Sequence, residues 1–192
     1  MTKKIDFYFD FISPYSFLAH KKIINSSDRN KFNYKAILLG GLHNLVGITA
    51  PAFNQRKMKN MKNDCKLIAN KNKIEFMWND NFPINSLYIM RGYLIVDNKF
   101  KKKYFDVCFN YYWKENINIS EEKNIDKILT TCSIDKKDFL KKINDPKTKD
   151  ELKHLTNLAF EKDIFGAPTF VVNNKIFWGQ DRLDYALDEY NS

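Results

Sequence analysis

The stretch Asp10-Phe11-Ile12-Ser13-Pro14-Tyr15-Ser16 joins an apolar strand directly to a helix, and its reading decides the fold. Over residues 5–12, Ile5, Phe7, Phe9 and Phe11 alternate with Asp6, Tyr8 and Asp10, the period of two of a β-strand. Ser13 is a good N-cap, and Pro14 suits the first helical position, where a missing N–H is no loss. Phe17, Leu18 and Ile24 then offer a core-facing side. A side chain at Ser13 points at the free N–H groups of the first helical turn, where an anion or an activated sulfur is stabilised.

Working outward, residues 32–39 read as a second strand that becomes continuously apolar, as for one buried on both faces. Strand, helix, strand is a βαβ opening. Gly40-Gly41 breaks the pattern, and residues 42–54 read as an irregular loop over a pocket, with His43, Asn44, Gly47, Pro51 and Asn54. From Gln55 the period is helical: Met58, Met61, Cys65 and Ile68, then Leu87, Met90 and Leu94, then Phe105, Cys108 and Tyr112. Shorter helices follow around Ile125–Cys132 and Phe139–Ile143, the latter after Asp135 as a cap. Thr148-x-x-Glu151 has the form of a capping box opening a helix with Leu152, Leu155 and Leu158. At the end, Thr169–Val172, an Asn173-Asn174 turn and Lys175–Trp178 make a hairpin, and Gly179-Gln180-Asp181 open a last helix facing inward through Leu183, Leu187 and Tyr190. The expected fold is α/β, with residues 1–54 and 151–192 as one discontinuous domain and 55–150 as an inserted all-helical one.

Composition narrows the function. In 192 residues, 44% hydrophobic and 15% aromatic content is enough for a packed core. No window approaches the roughly 20 apolar residues of a membrane span, and the N-terminus leads into a strand rather than an apolar signal core, so a cytoplasmic location is expected. Cys65, Cys108 and Cys132 are odd in number and in no CxxC or metal-ligand spacing, which argues for buried core residues and against a disulfide framework or metal site. The formal charge of +9 comes from scattered lysines without a nucleic-acid module signature. A diffuse positive field gathers small anionic ligands, and nucleic acid is not an expected partner.

The strand–Ser-Pro-Tyr-Ser–helix opening and the Gly166-Ala167-Pro168-Thr169 run before a hairpin resemble the thioredoxin-like fold of the DsbA superfamily. Phe9–Ala19, Leu38-Leu39-Gly40-Gly41, Phe82-Pro83-Ile84-Asn85-Ser86, Met90-Arg91, Phe165–Phe170 and Phe177–Leu183 are similar to the 2-hydroxychromene-2-carboxylate isomerase family. They are somewhat less similar to the kappa-class glutathione transferases. Ser13 and Ser16 stand where a dithiol oxidoreductase needs two cysteines, and serine forms no mixed disulfide, so a redox role for this site is excluded.

The resemblance implies instead a thiolate supplied by glutathione, to which the Ser13 hydroxyl donates. If hydroxyl and helix terminus lower that thiol's pKa by about two units, the thiolate is favoured by about 2.7 kcal/mol. The resemblance further implies a cis Ala167-Pro168 bond whose backbone pairs with glutathione. Gln180 and Asp181 would hold its γ-glutamyl end and Lys57 a carboxylate, with Trp178 alongside. His43, Asn54, Asn85 and Arg91 are candidates for a small aromatic carboxylate substrate. Related isomerases tend to carry a lysine near residues 43–44 and an asparagine after the loop glycine, where this chain has His43, Asn44 and Ile48. His20 and His154 read as helix-surface residues. The implied activity is glutathione-dependent isomerisation by thiolate addition and elimination on a conjugated aromatic acid. A kappa-type transferase and a non-catalytic glutathione or small-molecule binding module are the alternatives, and both monomer and homodimer are open.

Overall fold

Strands β1 (Ile5–Phe9) and β2 (Phe32–Ala36) pair in parallel, Ile5 against Phe32 and Phe9 against Ala36, with helix α1 (Pro14–Asn25) between them. That is the expected βαβ unit. Strands β3 (Thr169–Val172) and β4 (Lys175–Trp178) form the expected hairpin, turning through Asn173 and Asn174 at φ 51 and 60. β3 pairs antiparallel with β1, giving one mixed sheet in the order β2-β1-β3-β4. This computed structural model describes residues 3–192; Met1 and Thr2, the start of the expected 1–54 segment, lie outside it.

The helices between the two sheet halves are α2 (Leu39–Val46), α3 (Gln55–Lys71), α4 (Leu87–Ile95), α5 (Asn98–Trp113), α6 (Glu122–Cys132), α7 (Lys136–Asn144) and α8 (Pro146–Glu161). Helix α9 (Leu183–Asn191) ends the chain after a 3₁₀ turn at Gln180–Arg182. Among the described residues, no helix is long and apolar enough to cross a membrane, and no cluster of three or more His, Cys, Asp or Glu could hold a metal ion.

Five expectations are corrected. β1 stops at Phe9, because Asp10 turns inward and its carbonyl accepts from Ser13 N. β2 stops at Ala36 and is a half-buried edge strand, not one covered on both faces. Gly40 and Gly41 lie inside α2, whose ordinary backbone they adopt, so His43 is helical rather than in a loop; the left-handed Gly47 (φ 77) ends that helix. Helix α8 opens at Asp145, whose side chain accepts from Lys147 N, and Pro146 takes the first position; Thr148 is already inside the helix. Within α1 the inward isoleucine is Ile23, while Ile24 is only partly covered.

The core runs from the sheet into the helices through aromatic rings. Phe9 meets Phe105 edge-on at 4.6 Å and Phe11 meets Phe109 at 5.0 Å between centroids. The Trp113 indole donates to Phe11 O at 2.8 Å, fixing α5 to the segment that leads into α1. The three cysteines are free and buried. On the other face of the sheet, Tyr8, Ile37, Leu42, Ala159 and Ile164 pack under α2 and α8. The sheet is thus packed on both faces, and the β1–α1 junction lies at the C-terminal end of β1, where open α/β sheets place their ligands.

Candidate active site

Ser13 sits at that junction with extended backbone (φ −82, ψ 113) and is 2% exposed. Its hydroxyl oxygen accepts from Ser16 N at 3.1 Å, which caps α1. Its proton goes to Ala167 O at 2.8 Å, across 154 positions of sequence. Through these two bonds the helix start and the loop before β3 meet at one hydroxyl, and Ala167-Pro168 is a cis peptide. They meet on the wall of a cavity of about 760 Å³. Its lining is mainly apolar, with Ile12, Leu39, Ile48, Phe53, Phe82 and Ile84 among the contributors.

Of the residues singled out in the sequence, Ser13, His43, Lys57, Asn85, Ala167 and Trp178 line this one cavity. Trp178 is 54% exposed and stacks at a tilt on Phe165, 4.9 Å away, so it is a rim residue rather than hairpin core. The other five lie elsewhere. Asn54 caps α3, accepting from Arg56 N and Lys57 N. Arg91 lies on α4 outside the lining, its Nε buried without a partner. Pro168 lies behind the wall, its carbonyl accepting from Gly179 N. Gln180 is buried and accepts from Lys22 Nζ at 2.6 Å, and Asp181 is exposed and paired with Arg182. The last two open a 3₁₀ turn of three residues rather than a full helix.

A family model of the DSBA-like thioredoxin domain matches residues 4–191. The chain belongs to that family. It is 26% identical over 194 residues to a 2-hydroxychromene-2-carboxylate isomerase of Sphingobium xenophagum, covering 99% of this chain and 98% of that one. It is 24% identical over 201 residues to glutathione S-transferase kappa 1 of Homo sapiens, covering 96% and 89%. A solved structure of 2-hydroxychromene-2-carboxylate isomerase superposes with a TM-score of 0.88 at 24% identity, covering 97% of this chain and 94% of that one.

Within this DsbA-like frame the site has no thiol of its own, since both serines of the Ser13-Pro14-Tyr15-Ser16 run replace sulfur. Ser16 Oγ is buried without a partner, whereas Tyr15, a lining residue, donates to Asp64 at 2.7 Å. Two buried polar residues escape sequence reading, Asp10 behind the cavity wall and His20 in the core outside the lining. Asp10 is fully buried, and its carboxylate accepts from Ile12 N (3.1 Å), Leu39 N (2.8 Å) and Ser86 Oγ (3.0 Å). All three partners line the cavity. Burial pushes the Asp10 carboxyl up to about 6 against the pull of those bonds. Alternation puts Asp10 on the polar side of the strand, so only its place beside Ser13 signals it. The second is His20, expected on a helix surface. It is 1% exposed, bonds Asp106 at 2.8 Å, and is held down to about 4, chiefly by burial.

Proposed function

We propose that the chain is a glutathione-dependent isomerase of the 2-hydroxychromene-2-carboxylate type. The observation that carries this is the Ser13 hydroxyl at a helix N-terminus, bonded to the carbonyl before a cis-proline on the wall of a large apolar cavity. The residues present fit glutathione. A cavity of about 760 Å³ has room for a tripeptide and a two-ring substrate, Lys57 offers a cation for a carboxylate, and the Ala167 backbone edge faces the same space. Gln180 and Asp181 lie outside the lining, two and three residues past Trp178 at its rim, and are assigned to the γ-glutamyl end through their backbone, because their side chains are engaged with Lys22 and Arg182.

Glutathione, when bound, would supply a thiolate nucleophile for reversible addition to a conjugated double bond, and its elimination would regenerate it. Ser13 governs the site's readiness. Its proton rests on Ala167 O, and a ligand N–H that pairs with that carbonyl releases the hydroxyl to turn toward the sulfur. Ser16 N–H continues to hold the Ser13 oxygen in place, and the α1 terminus favours negative charge beside it. The apolar lining excludes water from the reacting carbon. The aromatic ring of the substrate lies against Phe53, Phe82 and Ile84, with Asn85 and His43 as polar contacts.

Ser13→Ala tests the reading. The variant should remain folded while glutathione-dependent, ultraviolet-monitored isomerisation of 2-hydroxychromene-2-carboxylate falls by about 10² or more. Full activity in the variant refutes the role of Ser13. Stoichiometric consumption of glutathione would mark a transferase of the kappa type instead, and glutathione binding without turnover of either substrate class a binding module.

A further inference from the structure

A second cavity, of about 460 Å³, lies along β2 and shares no lining residue with the first. All five residues of β2, Phe32 to Ala36, line it, together with residues of α8 and of the corner between α4 and α5. It is therefore a groove that follows a strand edge. Among the described residues, β1 is the one strand paired with β2. Ile37 N donates to Phe9 O, so by alternation the backbone groups of Asn33 and Lys35 face β1, and those of Tyr34 and Ala36 face outward into the groove. Among the described residues, no hydrogen bond occupies the Tyr34 or Ala36 N–H.

The charge of the groove has one sign. Lys35, Lys101 and Lys162 line it, and no Asp or Glu does. Lys35 is opposite Tyr8 in the ladder, on the face of the sheet that α8 covers, and lies 3.8 Å from Asp6. Lys101 comes from α5, on the other face, and its ammonium lies 5.1 Å from the Tyr93 ring centroid. Burial lowers its pKa, and no acid acts to raise it. Lysines beside a sheet edge usually keep a second strand away. They do so here against a second copy of this chain, since pairing β2 with β2 would bring two such sets of lysines together. Against carboxylates the sign reverses.

From this we infer that the outer edge of β2 binds an extended acidic peptide segment, which adds to the sheet as a further strand. Its backbone pairs with Tyr34 and Ala36, and its carboxylates reach Lys35, Lys101 and Lys162. Leu94, Leu155 and Leu158 receive the apolar side chains between the acids. The full length of β2 along the groove favours an extended occupant over a compact anion, and the unpaired N–H groups give that occupant main-chain partners. The site is independent of the glutathione reading, because Ser13 and the first cavity take no part in it.

Calorimetric titration of the full chain with acetyl-Glu-Val-Glu-Val-Glu-Val-amide tests this. The peptide should bind about tenfold or more tightly than acetyl-Lys-Val-Lys-Val-Lys-Val-amide, and less tightly as salt is added. Replacing Lys101→Glu together with Lys162→Glu should weaken the acidic peptide by about tenfold or more, in a variant whose folding is checked by circular dichroism. Two N-methylated forms of the acidic peptide, one methylated at every Glu and one at every Val, separate strand addition from plain attraction of charge in the unaltered protein. The form whose methyl groups face β2 should bind about tenfold or more weakly than the parent, and the other should match it. No binding of the acidic peptide at millimolar concentration, equal binding of the lysine peptide, binding indifferent to the two replacements, or equal affinities of the two methylated forms overturns the inference.

Discussion

Asp10 shows how much one residue carries at this site. Two carboxylate oxygens accept three hydrogen bonds, from Ile12 N, Leu39 N and Ser86 Oγ, so the end of β1 and the starts of α2 and α4 are set relative to Ser13 by one group. Asparagine has a single carbonyl oxygen, and Asp10→Asn would turn amide hydrogens toward donors. The loss should be about 1–3 kcal/mol in urea unfolding. Because the folded carboxyl titrates near 6, above its ordinary value of 3.8, its contribution to stability is fully present below the ordinary value and is lost as pH rises through 6. The deficit of Asp10→Asn should therefore be larger at pH 5 than at pH 8, and a deficit that grows toward pH 8 contradicts a buried, reluctantly ionised carboxylate. Ser13 is legible in the sequence because a cap is local, completed by Ser16 three residues on. Asp10 is not, because its partners Leu39 and Ser86 are 29 and 76 residues away.

At the scale of elements, periodicity locates the helices well and misplaces some of their ends. The spacing of Met58, Met61, Cys65 and Ile68 reads correctly as α3 because the apolar stripe repeats over the whole helix. Gly40-Gly41 misleads as a break. A glycine pair permits a turn without demanding one, and here the Leu38–Leu42 pattern and the Asp10 cap on Leu39 N hold the helix. A Cβ at Gly40 would meet nothing within 4 Å. Gly40→Ala should thus stabilise the fold by about 0.5–1 kcal/mol in thermal or urea unfolding. Gly92 in α4 is the opposite case. A Cβ there would run into Tyr104 Oη and lie 2.6 Å from Phe139 Cζ, so α5 and α7 approach α4 only because that position is bare. Gly92→Ala should destabilise by about 1–3 kcal/mol, and an unchanged midpoint would show that Tyr104 and Phe139 yield freely. For α8, Asp145→Ala should remove about 1 kcal/mol, whereas Thr148→Ala should leave the helix start intact, since the cap is Asp145.

Across the whole molecule, the division into 1–54 with 151–192 and 55–150 describes the path of the chain, and we propose that it does not describe separate units of stability. α8 runs unbroken from Pro146 to Glu161, across residues 150 and 151. More tellingly, the aromatic cluster has members on both sides: Phe9 and Phe11 from the sheet segment, Phe105 and Phe109 from α5, with Phe17 of α1 on Phe109 at 5.9 Å. Neither part can keep its core without the other's rings, because removing α5 would expose Phe9 and Phe11, both fully buried. Indole fluorescence, with Trp78 and Trp113 in the helical segment and Trp178 in the hairpin, and far-ultraviolet circular dichroism should accordingly follow one urea transition. Phe109→Ala, which deletes a ring touching both parts, should cost about 3–5 kcal/mol and shift both signals together. Two separated transitions, or a Phe109→Ala shift seen in only one signal, would show that the inserted helices fold as a unit of their own.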